Sequence, residues 1–230
     1  MVEIMESVHI PVAYATANDY EYTIVSMISI LENADPQTSF DFYILVDNDF
    51  CKESSDGLQK CLKNYKNCCH IKFLNVGNIF DNVQMKVDFI NKPTYFRLLL
   101  PDLLKEDRCI YLDSDTIICT DLKELFEIQM GDNYIAGVKA PWYVLRASQK
   151  SYCKQALLPD LRQYVNAGVL VMNLKQMRKN RVVEQFLKLL PLHMESQDQD
   201  IINSVCYNRI YPLAFRYNVM TKYATWTVED

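Results

Sequence analysis

Two carboxylates stand two residues apart where an apolar run ends, in Ile110-Tyr111-Leu112-Asp113-Ser114-Asp115. At a strand exit such a pair can converge on one hard cation while the apolar run holds both acids still. Mn2+ and Mg2+ accept oxygen ligands and keep positions open for diphosphate oxygens. A cation held there would act as a Lewis acid on a departing diphosphate. The plainer alternative is two acids in a turn, with Asp115 capping local backbone.

Three more segments carry polar groups that such a site would need. Pro93-Thr94-Tyr95-Phe96-Arg97 precedes the acid pair, and its arginine either clamps a phosphate or lies on an exposed helix face. Tyr164-Val165-Asn166-Ala167-Gly168-Val169 sets an amide and a glycine ahead of an apolar strand, to read a sugar hydroxyl or merely to turn the chain. Gln197-Asp198-Gln199-Asp200 opens a helix, where free amide donors and the dipole favour acids. Ser196 with Gln199 also fits a capping box. A haloacid-dehalogenase-type phosphatase is a rival owner of Asp-x-Asp. There the motif sits on the first strand and is followed by Thr or Val, whereas here it lies mid-chain with Ile117 in that place.

The elements that must position these residues show in the periodicity. Val8 to Thr16 reads as a strand, and Tyr20 to Asn33 as a helix with Ile24, Met27, Ile28 and Leu31 on one face. Asp41 to Asp47 is the near-continuous apolar run of a buried parallel strand. Lys52 to Tyr65 reads as a helix, and His70 to Val76 and Arg108 to Leu112 as strands. This alternation predicts an α/β fold with a mostly parallel sheet covered on both faces. Such sheets bind ligands at the carboxyl ends of their strands, which points to Ala15–Tyr20, Asp47 and the residues after Tyr111. Asp121 and Glu124 resemble a helix cap with its reciprocal acid. Beyond them Tyr134 to Val138, Val165 to Met172 and Ile210 to Phe215 read as strands. Leu174 to Leu190 and Ser196 to Asn203 read as helices. With five glycines and no Gly-rich phosphate loop, the charge of a bound nucleotide would fall largely to a metal.

The 230 residues, half of them hydrophobic, suffice for one domain with a large core, and no Pro-, Gly- or Ser-rich linker divides them. A net charge of -5 argues against a nucleic-acid partner; the basic cluster Lys175 to Arg181 reads as a solvated helix face. No apolar run nears the ~20 residues of a bilayer span, and the chain opens without a signal-peptide pattern. The eight cysteines form no CxxC pair, and His9, His70 and His193 lack zinc spacings. Reduced thiols follow, with a cytoplasmic setting that is at most peripheral to the inner face of a membrane.

In order and wording these segments resemble glycosyltransferase family eight, which includes bacterial lipopolysaccharide α-galactosyltransferases and the glycogenins. The likeness runs through Ala15-Thr16 to Tyr20, Tyr95 to Arg97, Tyr111 to Asp115, Phe126 to Asp132, Asn166 to Val169 and Gln197 to Asn203. It implies a GT-A (Rossmann-like) fold. It also implies retaining, Mn2+-dependent (or Mg2+-dependent) transfer of galactose or glucose from a UDP-hexose to a saccharide or lipid-linked acceptor. On that resemblance Ala15, Thr16 and Tyr20 line the uridine site, with the Tyr20 ring stacked on uracil. Arg97 meets the donor sugar or its diphosphate. Asp113 and Asp115 hold the metal, with Ser114 near the ribose. Asn166, Ala167, Asp198 and Gln199 hold the hexose. Catalysis falls to Asp198, Gln199 and Asp200, with Gln199 near the anomeric carbon. Asp200 is either a covalent nucleophile or a bystander to front-side attack.

The sequence departs from the family pattern in three places. Ala17 stands where an acid is usual, with Asn18 or Asp19 as neighbouring substitutes. Lys139-Ala140-Pro141 offers no acid after its strand. The family's C-terminal His-x-x-Gly-x-x-Lys-Pro-Trp motif, whose histidine is a metal ligand, is not within residues 1–230, and His193 lies in the wrong place to replace it. The expectation is one catalytic domain over 1–230 lacking that segment. The alternative is a non-catalytic nucleotide-sugar- or carbohydrate-binding relative.

Overall fold

The computed structural model describes residues 7–17, 20–65, 68–83, 92–140 and 149–220. Among them the strands are Val8–Ala15 (β1), Thr38–Val46 (β2), Cys69–Asn75 (β3), Cys109–Leu112 (β4), Ile135–Lys139 (β5), Val165–Met172 (β6) and Ile210–Leu213 (β7). They form one sheet in the order β3-β2-β1-β4-β6-β5-β7. β1, β2 and β4 are apolar along nearly their whole length, so neither face tolerates water and helices must cover both.

The helices are Glu21–Asn33 (α1), Lys52–Cys61 (α2), Leu100–Leu103 (α3), Lys123–Phe126 (α4), Gln149–Gln155 (α5), Leu174–Lys179 (α6), Val182–Leu189 (α7) and Gln197–Val205 (α8). α1 and α2 cover one face, burying Met27, Ile30 and Leu58 against Val12, Phe42 and Ile110. The other face buries Tyr95 to Leu100 with Met177, Phe186 and Ile201 of α6, α7 and α8.

β1 pairs in parallel with β2 on one side and β4 on the other. The strand order reverses between β1 and β4, the point at whose carboxyl ends sheets of this kind bind their ligands. β6 runs antiparallel to both β4 and β5, whereas β5 and β7 are parallel. Its direction brings the amino end of β6 beside the carboxyl end of β4: Leu112 pairs with Val169, and Asp113 N–H donates to Gly168 O at 2.8 Å.

Three local expectations change. The single helix read over Leu174 to Leu190 is two, α6 and α7, broken at Arg181, whose φ of 52° is left-handed. Both pieces bury their apolar faces in the same core, so the break costs no burial and leaves no mark in the pattern. The helix from Lys52 ends at Cys61, followed by a 3-10 turn at Lys63–Tyr65. Asp121 does accept the N–H of Lys123 at 2.6 Å, but Glu124 is no reciprocal cap and pairs with Arg216 and Tyr217 instead. All eight cysteines are free. Among the described residues no helix is long and apolar enough to cross a membrane.

Candidate active site

Polar groups from four pieces of chain gather beyond β4: its exit, the start of β6, the start of α8 and a 3-10 segment, Lys92–Leu99. Tyr111, two residues before Asp113, donates its hydroxyl to Asp113 Oδ1 at 3.1 Å. Arg97 Nη2 lies 2.7 Å from the same oxygen, with the guanidinium 4.2 Å over the centre of the Tyr111 ring. The other carboxylate oxygen faces Gly168. A Cβ there would sit 2.8 Å from Asp113 Oδ2 and 3.0 Å from Asn166 Oδ1, so only glycine lets β6 approach this closely.

Arg97 and Asp198 are both 4% exposed. Arg97 Nε–H donates to Thr94 O (2.9 Å), Nη1 to Ala167 O (2.6 Å) and Nη2 to Thr94 Oγ1 (3.1 Å). Burial alone would lower the guanidinium pKa, but Asp113, Tyr111 and Asp198 outweigh it and hold the group above its ordinary range. Asp198 Oδ1 accepts the Thr94 hydroxyl at 2.7 Å. Its Oδ2 lies 3.1 Å from Arg97 Nε, yet the Nε hydrogen points at Thr94 O, so this oxygen is charge-paired without a hydrogen bond. Desolvation pushes the Asp198 carboxyl up to about 6 against the pull of Arg97 and Thr94.

Gln199 Oε1 accepts Ala167 N–H at 3.0 Å and Asn166 Nδ2 at 3.2 Å, while its Nε2 donates to the Tyr164 hydroxyl at 3.2 Å. Asp200 is fully buried. Its Oδ1 accepts the hydroxyls of Tyr152 (2.5 Å) and Tyr164 (2.6 Å), and its Oδ2 accepts Ser196 N–H (2.7 Å). Burial raises this carboxyl, with those three donors opposing. The bond from Ser196 corrects the capping box read from the sequence: Ser196 makes no side-chain cap bond, and Gln199 turns to β6. One turn on, Asn203 accepts Val165 N–H (2.8 Å) and donates to Val165 O (2.9 Å), tying α8 to β6.

Asp115 stands at the surface beyond Asp113. Partial desolvation of its carboxyl, and then Asp113, raise its pKa. Asp113 and Asp115 together offer hard oxygens of the kind Mn2+ and Mg2+ accept. No third His, Cys, Asp or Glu joins them among the described residues. Ala15 and Thr16 end β1 and are buried. Tyr20 caps α1 with its ring edge against α2, where a Cβ on Gly57 would meet it at 2.7 Å. Ser114 is half-buried. Asn18, Asp19 and Pro141 lie outside the described residues.

The structure adds Thr94, Tyr111, Tyr152, Tyr164 and Asn218, whose Nδ2 donates to Asn166 Oδ1 at 2.8 Å. Tyr111 carried a signal, since residues two apart on a strand share a face. Thr94 did too, one 3-10 turn before Arg97. Tyr152 and Asn218 carried none, their side chains reaching site residues that are distant in sequence.

Among known proteins, the profile of glycosyl transferase family 8 matches residues 11–229. The chain is 25% identical over 202 residues to general stress protein A of Bacillus subtilis (strain 168), covering 84% of this chain and 68% of that protein. It is 27% identical over 201 residues to lipopolysaccharide 1,2-glucosyltransferase of Escherichia coli, covering 84% and 57% respectively, so it spans only part of either relative. A crystal structure of the galactosyltransferase LgtC with donor and acceptor sugar analogues matches at a TM-score of 0.82 and 24% identity. That match covers 96% of this chain and 79% of LgtC, and the likeness establishes the GT-A fold. The haloacid-dehalogenase reading of the acid pair falls away with it.

Proposed function

Because the chain belongs to glycosyl transferase family 8, we propose that it transfers a hexose, galactose or glucose, from a UDP-sugar to a saccharide or lipid-linked acceptor with retention of configuration. The observation carrying this reading is the meeting of Asp113, Asn166 to Gly168 and Asp198-Gln199 beyond the carboxyl end of β4. Asp113 and Asp115 would hold Mn2+, or Mg2+ in its place, which when bound neutralises charge on the leaving diphosphate. Ala15, Thr16 and Tyr20 receive the uridine, and Ser114 the ribose side. A lipid-linked acceptor would bring the protein peripherally to the inner face of a membrane.

Asn166, Ala167, Asp198 and Gln199 hold the hexose. Asp198 Oδ1 accepts the Thr94 hydroxyl and its Oδ2 lies against the Arg97 guanidinium, which fixes the carboxyl beside Gln199 and the start of β6. Arg97 works from beneath, its donors committed to Thr94, Ala167 and Asp113 and its charge lying beside the buried Asp198 carboxyl. The fixed Gln199 carbonyl dipole can face the positive charge that develops at the anomeric carbon. The enclosed Asp200 carboxylate favours front-side displacement over a covalent intermediate on that residue.

The test is donor hydrolysis across a panel of UDP-sugars with Mn2+, comparing wild type with Asp115→Asn. Most of the activity should be lost in the variant, with more Mn2+ needed for what remains. Unchanged activity would sink the metal-site assignment. UDP binding without metal dependence or turnover would instead indicate a non-catalytic relative.

A further inference from the structure

We propose that the Tyr164 hydroxyl is a positioning residue that relays the buried Asp200 carboxylate to the Gln199 side chain and fixes which way that amide faces. The inference rests on the donor-transfer reading above and deepens it. The Tyr164 hydroxyl donates to Asp200 Oδ1 at 2.6 Å, so its proton is committed to that oxygen. The Tyr164 oxygen is thereby left to accept, and Gln199 Nε2 is the group that donates to it. On the far side of the amide, Ala167 N–H can only donate, and Gln199 Oε1 receives it.

Turning the amide over would set Nε2 against the Ala167 N–H and Oε1 against a tyrosine oxygen whose proton is spent. Both ends would then be mismatched in a half-buried setting, where unmade hydrogen bonds are costly. The chain of donors from Gln199 through Tyr164 to Asp200 therefore holds the carbonyl toward β6. Tyr152 adds a second proton to the same Asp200 oxygen, and Ser196 N–H occupies the other, so the carboxylate stays turned inward. Asp200 serves as the anchor of this relay. Burial with three donors suits an anchor, whereas attack on a sugar would need a free oxygen.

The experiment compares Tyr164→Phe with wild type and with Tyr43→Phe. Tyr43 loses a buried hydroxyl too, one bonded to Glu106 and Lys72 and to no residue of the site. Hydrolysis of UDP-galactose and UDP-glucose with Mn2+ gives kcat and KM, and melting temperature reports stability. The Gln199 side-chain amide is followed by nitrogen-proton NMR, assigned by its disappearance in Gln199→Ala. In Tyr164→Phe, kcat should fall about 10- to 100-fold with donor KM nearly unchanged, as expected when a reacting group is misplaced by a fraction of a bond length. The amide resonance should shift in that variant, while Tyr43→Phe loses stability and keeps both kcat and the resonance. A Tyr164→Phe enzyme with wild-type kcat overturns the proposal, as does a loss no larger than Tyr43→Phe shows at equal destabilisation. If wild type turns over neither donor, the transfer reading fails, and the amide alone decides the relay: an unmoved resonance in Tyr164→Phe refutes it.

Discussion

Arg97→Met replaces a buried guanidinium by an apolar chain of similar length and leaves Asp113 and Asp198 facing each other's field. The side chain of Asp113 is 36% exposed and water can answer for part of its loss; that of Asp198 is 5% exposed and has no such recourse. Removing one partner of a buried pair costs about 3–5 kcal/mol, because the other charge stays buried and uncompensated. The hydrogen bonds to Ala167 O and Thr94 O disappear as well, which places the loss at the upper end. At about 2–4 °C per kcal/mol for a chain of this size, the melting temperature should fall by roughly 6–20 °C at neutral pH. The pH dependence is more diagnostic. Burial raises the Asp198 carboxyl to about 6, so folding gains from its protonation at low pH and loses that gain as pH rises through about 6. Arg97 is one of the groups holding that value down. Without it the folded value climbs further, and the deficit against wild type should be largest near pH ~7.5 and shrink toward pH ~5. Circular-dichroism melts of both proteins at the two pH values measure this. A deficit under about 3 °C at neutral pH, or one equal at both pH values, refutes the claim that Arg97 acts by charge compensation of a buried acid.

Gly168→Ala would drive a Cβ to 2.8 Å from Asp113 Oδ2. It should cost about 1–3 kcal/mol of stability and weaken Mn2+ binding, read by denaturation and by metal titration; an unchanged metal affinity would contradict the packing. Gly57→Ala should do the reverse to stability: a helical glycine gives way to alanine, worth up to about 1 kcal/mol, while the new methyl pushes the Tyr20 ring aside. UDP affinity by calorimetry should drop as the melting temperature holds or rises, and unchanged UDP binding would remove Tyr20 from the uridine site. Gln197 is 1% exposed, and among the described residues neither its amide oxygen nor its nitrogen has a hydrogen-bond partner. Gln197→Met should therefore stabilise the fold by about 1–2 kcal/mol in urea titration, and a destabilised variant would mean the amide is satisfied in solution.

Much of this site was legible because the strands around it are locally determined. The apolar run from Val165 to Met172 gave β6 its observed bounds, and the run into Asp113 placed the acid pair at a strand exit. The direction of β6 was not legible. A strand buried on both faces shows the same apolar run whether its neighbours are parallel or antiparallel, and only pairing decides. That direction brings Asn166 and Gly168 to Asp113. The break at Arg181 was hidden for a related reason: no glycine or proline marks it, and the packing of α6 and α7 supports the left-handed residue between them.

The four residues Gln197-Asp198-Gln199-Asp200 show why motif reading stops where it does. Successive helical residues point about 100° apart, so four in a row face every direction and share no partner. On an exposed helix they would be an ordinary acidic first turn, and the capping-box reading would stand. Here the start of α8 is wedged between the 3-10 segment carrying Arg97, the start of β6, and the tyrosines 152 and 164, so each direction meets a different piece of chain. Asp198 meets Arg97, Gln199 meets Ala167 and Tyr164, and Asp200 meets both tyrosines, while the Gln197 amide side chain meets no hydrogen-bond partner among the described residues. Their roles differ although their chemistry is nearly the same. Exchanging the two acids' surroundings would exchange their roles: one carboxyl lies against the Arg97 guanidinium, and one with three donors can only hold the protein.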